Sequence, residues 1–136
     1  MVDVHSPERR SYNMSCIKGK DTKPETVVRK WLWQSGYRYR LHYRDLPGKP
    51  DIVFPSRKKV IFINGCFWHK HECNYFRWPK SNPEFWKRKI EGNVIRDSEN
   101  YLKLINNGWE YLIIWECETK EKNLQQLWEK IQSFLG

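Results

Sequence analysis

The sequence lacks long apolar runs, internal repeats and segments of low complexity. No stretch approaches the roughly 20 apolar residues that a helix needs to cross a bilayer, and the N-terminus lacks the apolar core of a signal peptide. No stretch rich in Pro, Gly and Ser divides the 136 residues either. We therefore expect a cytoplasmic protein with no membrane association, folded as a single domain over residues 1–136.

Acidic residues are few relative to basic ones. The chain has 16 Asp and Glu against 25 Lys and Arg, which gives a net charge of +9. This excess favours a polyanionic partner, because each phosphate that a protein neutralises releases condensed counterions. Aromatic residues make up 15% of the chain and include eight tryptophans, a content that excludes a disordered chain. The composition therefore predicts a folded domain that binds nucleic acid.

Only four cysteines are present, and a reducing cytosol disfavours disulfides between them. Cys66 and Cys73 flank two histidines, His69 and His71, and Cys117 follows a later apolar run. Thiolate and imidazole are the ligands that tetrahedral Zn²⁺ prefers. The cluster therefore predicts a zinc site, with five candidates for four positions.

The spacing does not choose between the two histidines. In an extended segment, residues two apart point to the same side, so either His69 or His71 could bind the metal. The alternative for the whole cluster is that Cys117 is a small buried hydrophobic residue and that both histidines are solvated. Cys16 stands alone near the N-terminus and is expected to be a bystander.

An arm and a helix are predicted at the start of the chain. Residues 1–20 are rich in Ser, Arg and Lys and form the predicted arm. Thr22, Pro24 and Glu25 then provide an N-cap, a first-turn proline and a capping-box glutamate. Gly36 is the predicted end of this helix. Its predicted apolar face is Val27, Val28, Trp31 and Leu32.

Two further helices are predicted towards the end of the chain. One runs from Asn82 to about Asn106, with Gly108 as its stop, and the other lies within residues 119–136. The predicted apolar face of the first is Trp86, Ile90, Val94, Tyr101 and Ile105, and that of the second is Leu124, Leu127, Trp128, Ile131 and Leu135.

Four short runs predict strands. Residues 37–43 alternate between polar and apolar side chains, whereas residues 51–54, 60–63 and 111–115 are almost continuously apolar. Because a strand, a long helix and a strand follow one another from residue 60 to 115, we expect a right-handed parallel crossover. The predicted class is α/β, with helices covering a short mixed sheet.

An acidic turn precedes the second predicted strand. Asp51 follows the turn of residues 46–50, where a carboxylate can bind a hard cation, although a lone Pro-Asp pair is usually only a turn. Many nucleases pair such an Asp with an acidic-x-Lys triplet on the next strand, but here that strand reads Phe62-Ile63-Asn64. The nearest side chain able to move a proton is His69, since imidazole titrates near neutral pH.

Two large aromatic residues, Phe67 and Trp68, lie beside the predicted metal ligands. Apolar wedges between base steps unstack and kink duplex DNA, and a mispaired step opens more easily than a paired one. By composition alone, covering the zinc site and entering DNA are equally good interpretations of this pair.

Together these features make the sequence resemble the very short patch repair (Vsr) endonuclease family. The resemblance covers roughly residues 3 to 118, and Gly65-Cys-Phe-Trp-His69 is its most specific block. The other matching stretches are Asp3-Val4-His5, Asn13-Met14, Asp21-Thr22 with Glu25, Leu46 to Asp51, His71 with Cys73, Phe85-Trp86 to Asn93, Arg96-Asp97, and Gly108-Trp109 through Trp115-Glu116-Cys117.

The resemblance implies an Mg²⁺-dependent enzyme with a restriction-endonuclease-like fold. Such an enzyme nicks one strand 5′ to the mispaired thymine of a T:G mismatch, which arises from deamination of 5-methylcytosine, and so starts very short patch repair. The implied partners are duplex DNA with a T:G mismatch, mismatch-repair proteins and a cognate cytosine methyltransferase system. We expect a bacterial monomer that associates with the nucleoid when it acts.

The resemblance also implies two metal sites. The implied structural zinc ligands are Cys66, His71, Cys73 and Cys117. His69 is thereby free to act as the general base. Mg²⁺ would be bound by Asp51 and the backbone carbonyl of Ile63, with Glu25 and His69 reaching the hydrated metal and Asp97 orienting His69. Glu25 then has two interpretations, a capping-box carboxylate and a residue of the metal shell.

Six DNA-binding residues are implied by the resemblance: Met14, Phe67, Trp68, Trp86, Lys89 and Asn93. The three aromatic residues would enter the major groove and Met14 the minor groove, wedging apart the steps beside the mismatch. Lys89 and Asn93 match positions near the mismatched pair. Trp86 equally fits the apolar face of its helix.

One departure from the family's pattern lies just before Gly65. The pattern has Thr-His where this chain has Ile63-Asn64. The backbone carbonyl at position 63 is present with either Thr or Ile, so it can still be a metal ligand. Asn64 cannot titrate, so only hydrogen bonding is assigned to it.

Two alternative functions are consistent with the sequence. One is a restriction-type endonuclease of the same fold with another sequence specificity, since one fold hosts many functions. The other is a zinc-stabilised DNA-binding module without cleavage. Asp51 and His69 argue against the second, because binding alone requires neither.

Overall fold

The computed structural model describes residues 22–41, 43–71, 73 and 77–136. The predicted arm, including Met14 and Cys16, lies outside the described residues. No helix in the described part of the chain is long and apolar enough to span a bilayer.

Four strands form one mixed sheet, in the spatial order β1-β2-β3-β4. The strands are β1 (Arg40–Leu41), β2 (Ile52–Phe54), β3 (Lys59–Asn64) and β4 (Glu110–Trp115). The first three pair antiparallel, whereas β3 and β4 pair in parallel along their full length. The predicted short mixed sheet and the parallel pairing across the long helix are therefore confirmed.

Three helices flank the sheet, as predicted: α1 (Lys23–Gln34), α2 (Pro83–Asn106) and α3 (Leu124–Leu135). Short 3-10 turns cover Pro55–Arg57, Glu116–Thr119 and Glu121–Asn123. Gly36 and Gly108 follow α1 and α2 with φ of +92° and +84°, in the left-handed region that glycine adopts without strain. Both predicted stop signals are thus confirmed.

The two faces of the sheet bury different clusters, because successive strand residues point to opposite sides. The larger cluster lies between the sheet and helices α1 and α3, and its buried members are Val28, Leu32, Ile52, Phe54, Ile61, Ile114, Leu127, Ile131 and Leu135. On the other face, the buried residues Val53, Val60, Phe62 and Leu104 pack together with half-buried aromatic residues. Helix α2 therefore covers the face opposite to α1 and α3.

The strand predicted over residues 37–43 is wrong in extent, because among the residues of this segment that the structure describes, 37–41 and 43, only Arg40–Leu41 pair with β2. Tyr37 and Tyr39 instead pack edge-on against Phe54, with ring centroids 6.5 and 6.2 Å apart. The alternation along this segment thus reflects aromatic packing on the core rather than a continuous hydrogen-bonded strand.

Three smaller predictions are also corrected. The side chain of Thr22 makes no capping hydrogen bond, so the predicted capping box lacks the bond from its threonine. Ile105 is 54% exposed, and Leu104 is fully buried in its place, since the helix turns about 100° per residue. Strand β4 is less buried than predicted, with Ile114 as its fully buried residue.

Candidate functional site

The parallel pairing of β3 and β4 brings two distant chain segments together at one edge of the sheet. Asn64 and Trp115 are partners in the register and end their strands side by side. Cys66 lies two residues beyond the first, and Cys117 lies two residues beyond the second. Topology alone thus explains why these cysteines approach each other.

The predicted metal cluster is assembled at this edge. The potential ligand atoms of Cys66, His71, Cys73 and Cys117 all lie within 4.8 Å of one another. Nδ1 of His71 is 3.5 Å from Sγ of Cys117. Cys66 is fully buried and the other three are half-buried. This set could hold a metal ion, and it contains His71 rather than His69.

A tight turn separates the two histidines. The N–H of His71 donates to the carbonyl of Cys66 over 2.9 Å, and Lys70 has a φ of +52°. The assumption of an extended segment was therefore wrong, and the rings of His69 and His71 serve two different sites.

The protonation chemistry of the cluster fits a thiophilic cation. Burial, together with the neighbouring thiols of Cys73 and Cys117, raises the pKa of Cys66 to about 12. Burial likewise raises the pKa of Cys117 and lowers that of His71. A bound cation would stabilise the thiolates, and a neutral imidazole is the form that binds metal. The donor set suits a tetrahedral site for zinc.

Several groups around the cluster hold its ligands in position. The ring of His71 stacks on Trp115, with centroids 4.2 Å apart and planes 8° from parallel. Asn123 donates to the carbonyl of Cys117 over 2.9 Å. Glu118 accepts a bond from the N–H of Trp115 and is paired with Lys130 at 3.0 Å. Spacing rules could not identify these supports, because no motif links the residues concerned.

An open pocket of about 190 Å³ lies beside the cluster at the same edge of the sheet. It is lined by Gly48, Lys49, Asp51, Phe62, Ile63, Asn64, His69, Asp97, Asn100 and Tyr101. Four predicted site residues therefore share it: Asp51, Ile63, His69 and Asp97. Nδ1 of His69 lies 2.5 Å from Oδ2 of Asp97, which is the predicted orienting contact. The pocket is large enough for several water molecules.

Asp51 is a half-buried carboxylate surrounded by several charged groups. Burial raises its pKa to about 6, against a lowering effect of the N–H of Ile63, which donates to Oδ2 over 2.6 Å. The charge of Glu25 raises the pKa of Asp51 further, whereas Arg29 and His69 lower it. Glu25 is 5% exposed and is paired with Arg29 at 2.7 Å. The buried carboxylate of Glu25 and the half-buried carboxylate of Asp51, whose charges interact, are donors that suit a hard cation such as Mg²⁺.

The pocket also contains Lys49 and Asn100, polar residues for which no role was predicted from the sequence. Lys49 has a φ of +49°, an uncommon conformation for a residue other than glycine. Nδ2 of Asn64 donates to the hydroxyl oxygen of Tyr101 over 3.2 Å, consistent with the hydrogen bonding assigned to Asn64. Tyr101 was placed on an apolar helix face, although its spacing of four residues from Asp97 puts both on one side of α2.

An aromatic surface, formed by Phe67, Trp68 and Trp86, lies beside the pocket. All three side chains are half-buried, and their ring centroids are 5.0 to 5.8 Å apart. Nζ of Lys89 lies 5.8 Å from the ring centre of Trp68. The amide of Asn93 donates to the carbonyl of Trp68 over 3.0 Å. Five of the six predicted DNA-binding residues are thus neighbours, and the sixth, Met14, lies outside the described residues.

Comparison with known proteins shows to which family this sequence belongs. The family profile described as DNA mismatch endonuclease Vsr matches residues 2–75. The sequence is 43% identical over 117 residues to the DNA mismatch endonuclease Vsr of Escherichia coli, covering 86% of this chain and 75% of that protein. This chain belongs to the Vsr family.

Two further relatives of this Vsr-family protein bear the name of nicking enzymes. The type II nicking enzyme V.XorIIP of Xanthomonas oryzae pv. oryzae is 49% identical over 121 residues, covering 89% of each chain. The type II nicking enzyme V.NmeAIP of Neisseria meningitidis is 46% identical over 122 residues, covering 90% of this chain and 87% of that protein. The predicted resemblance to the Vsr family is therefore confirmed.

Proposed function

We propose that this Vsr-family protein is a DNA endonuclease that nicks one strand 5′ to the mispaired thymine of a T:G mismatch. The observation that carries this proposal is the pocket in which His69, paired with Asp97, lies together with the half-buried carboxylate of Asp51. The names of the relatives, a mismatch endonuclease and nicking enzymes, support the same reaction class. The T:G pair, as the product of 5-methylcytosine deamination, is the proposed substrate for very short patch repair.

Two metals are part of the proposal. Zinc would be held by the four ligands of the Cys/His cluster and would contribute to folding. Magnesium would be held by Asp51 and the backbone carbonyl of Ile63, with Glu25 nearby. When bound, it would supply a Lewis acid for the phosphate and the leaving oxygen.

His69 is the proposed general base. Its Nδ1–H is directed to Asp97, which leaves Nε2 as the atom that accepts a proton from the attacking water. Asp97 fixes the plane of the ring and stabilises the positive charge that the ring gains with the proton. Asn64 cannot share this task because an amide does not titrate.

Mismatch recognition is assigned to the aromatic surface. The rings of Phe67, Trp68 and Trp86 form one continuous group next to the pocket. Rings inserted at a base step replace stacking between bases with stacking of a base on an aromatic ring. This replacement costs least where the base pair is weak. Lys89 adds a positive charge beside Trp68 for the DNA backbone.

We also assign the fold to the restriction-endonuclease-like class. The support is the mixed sheet, with the acidic turn of Asp51 directly before the central strand β2 and the pocket at the end of β3. In this arrangement the carboxylate and the metal-binding carbonyl come from adjacent strands.

The test is nicking of a panel of duplexes. Matched C:G and T:A duplexes, T:G duplexes with varied flanking bases and other mismatches would be incubated with and without Mg²⁺. We expect Mg²⁺-dependent nicking of one strand, 5′ to the mispaired thymine. Cleavage of a matched sequence would identify a restriction-type enzyme instead, and mismatch binding without cleavage would identify a DNA-binding module.

A further inference from the structure

Tyr101 and Asn64 make a contact in the pocket that the proposed mechanism does not use. Both residues line the pocket, and the amide of Asn64 donates to the phenol oxygen of Tyr101 over 3.2 Å. Asn64 is only 6% exposed, at the end of β3. Tyr101 lies one helical turn after Asp97 on α2, so its hydroxyl shares the pocket with the His69–Asp97 pair.

This contact determines what the hydroxyl of Tyr101 can do. The phenol of Tyr101 has a single hydroxyl hydrogen to donate, and its oxygen already accepts a hydrogen bond from Asn64. Among the residues that the structure describes, the hydroxyl donates to none, so its hydrogen is available to a ligand. The ring is held in place by Tyr111, stacked at 4.5 Å, and by Phe62, edge-on at 5.2 Å. Tyr101 is therefore a positioned neutral donor.

The protonation state of Tyr101 fits a donor rather than a base. Burial and the nearby charge of Asp97 raise its pKa to about 12, against a lowering effect of Asn64. The hydroxyl thus keeps its hydrogen at neutral pH. In a pocket that also contains a water-activating pair, the acceptor of matching chemistry is an anionic oxygen of a phosphodiester.

We propose that the hydroxyl of Tyr101 donates a hydrogen bond to a non-bridging oxygen of the phosphate that is cut, and that Asn64 sets the direction of this donor. Tyr101 is then a catalytic residue and Asn64 a positioning residue. This inference rests on the proposed nuclease function. It gives position 64, where the chain departs from the family's pattern, a role that needs no titration.

The first test replaces the phenol without disturbing the stack. Tyr101→Phe should nick a T:G duplex about 10 to 100 times more slowly in single turnover, because one donor to a developing charge is lost. Its affinity for the same duplex in Ca²⁺ should stay within about threefold of wild type. Tyr111→Phe removes a phenol from the stacking partner and should remain close to wild type. A Tyr101→Phe rate within twofold of wild type would overturn the proposal.

The second test identifies the atom that is contacted. Sulfur accepts hydrogen bonds poorly, so one of the two phosphorothioate diastereomers at the cut site should slow the wild type more than it slows Tyr101→Phe. Asn64→Ala should also be slower, and combining it with Tyr101→Phe should add no further loss, since both act through one donor. Identical sulfur effects in wild type and Tyr101→Phe, or fully additive losses, would contradict the assignment.

A third measurement does not depend on cleavage. Protein labelled with ¹³C at the ζ carbon of tyrosine would be titrated with dimethyl phosphate in the presence of Ca²⁺. The Tyr101 resonance is identified as the one that is absent from Tyr101→Phe. As dimethyl phosphate is added, this resonance should shift to saturation in the wild type, and by a smaller amount in Asn64→Ala. An unmoved resonance would overturn the proposal even if the enzyme nicks DNA. A saturable shift in a protein that never nicks would instead support the phosphate contact and refute the proposed function.

Discussion

Oδ2 of Asp51 accepts a 2.6 Å hydrogen bond from the backbone N–H of Ile63, which ties the acidic turn before β2 to the adjacent strand β3. The bond holds this half-buried carboxylate at the pocket without neutralising its charge. It therefore allows the charge and the hydrogen bond of Asp51 to be tested separately, since an amide oxygen can accept the same bond.

Asp51→Asn should abolish nicking while leaving mismatch binding intact. The Asn side chain can still accept from Ile63, but it no longer offers the charge that a hard cation needs. Asp51→Ala should behave in the same way. Single-turnover nicking and duplex affinity in Ca²⁺ would be measured on the same preparations. A variant that keeps more than about a tenth of the wild-type rate would refute the assignment as a ligand, because losing a metal ligand costs at least that factor.

The stability of the magnesium-free protein should depend on the ionisation of Asp51. Its pKa is about 6 when folded, above its ordinary value of 3.8, so the folded state binds the proton more tightly than the unfolded state. The resulting stability is complete below pH 3.8 and is lost as the pH rises through about 6.

Asp51→Asn should therefore gain about 1 to 2 kcal/mol relative to wild type between about pH 5 and pH 8. Urea unfolding would measure this difference, in buffers cleared of divalent cations by resin rather than by a chelator that could remove zinc. Adding Mg²⁺ near pH 8 should stabilise the wild type and not the variant. A difference that is constant with pH would contradict the assigned ionisation.

His69 and His71 should give opposite phenotypes when each is replaced by Ala. His69→Ala should keep its zinc and nick about 10² to 10⁴ times more slowly, the usual loss for a positioned proton-transfer group. His71→Ala should lose zinc. Zinc-free His69→Ala protein, together with zinc-loaded but inactive His71→Ala, would reverse the two assignments.

Long periodic segments were predictable from the sequence, and short contacts across the fold were not. Helices α1, α2 and α3 and strands β3 and β4 were predictable from apolar periodicity and, for α1 and α2, from glycine stops. The segment 37–43 was misjudged because Tyr37 and Tyr39 pack on Phe54, so tertiary packing produced the same alternation as a strand. Local pattern cannot distinguish these two causes.

The same limit applies to the site. The Cys/His residues were identifiable as a candidate metal site because Cys and His have few other reasons to cluster, yet spacing could not choose between His69 and His71 until the turn was known. Tyr101 was assigned to a helix face, although its hydroxyl meets Asn64 across the fold. Such a contact depends on how α2 packs against β3, which no motif encodes.

The Cys/His cluster should bind one zinc per chain. Elemental analysis of freshly purified protein would measure it, and protein without zinc would contradict the prediction. Cys73→Ser and Cys117→Ser should misfold or lose the metal, because structural zinc contributes at least several kcal/mol to folding. Cys16→Ser, at a position outside the described residues, should be close to neutral and serves as the matched control.

Ala variants of Phe67 and Trp68 should keep zinc and remain folded but lose discrimination between mismatched and matched duplexes. The expected loss is about 1 to 3 kcal/mol for each stacking contact with a base. Competition binding with T:G and C:G duplexes would measure it, beside the zinc content of each variant. Loss of zinc from both variants would favour the other interpretation, in which the two rings cover the metal site.

The turn between Cys66 and His71 contributes to three sites at once. Within it the chain provides two residues of the metal cluster, two rings of the aromatic surface and the imidazole of the pocket. A single inserted or deleted residue here would displace the side chains of all three sites at the same time. During divergence, this segment can therefore change by substitution but hardly by length.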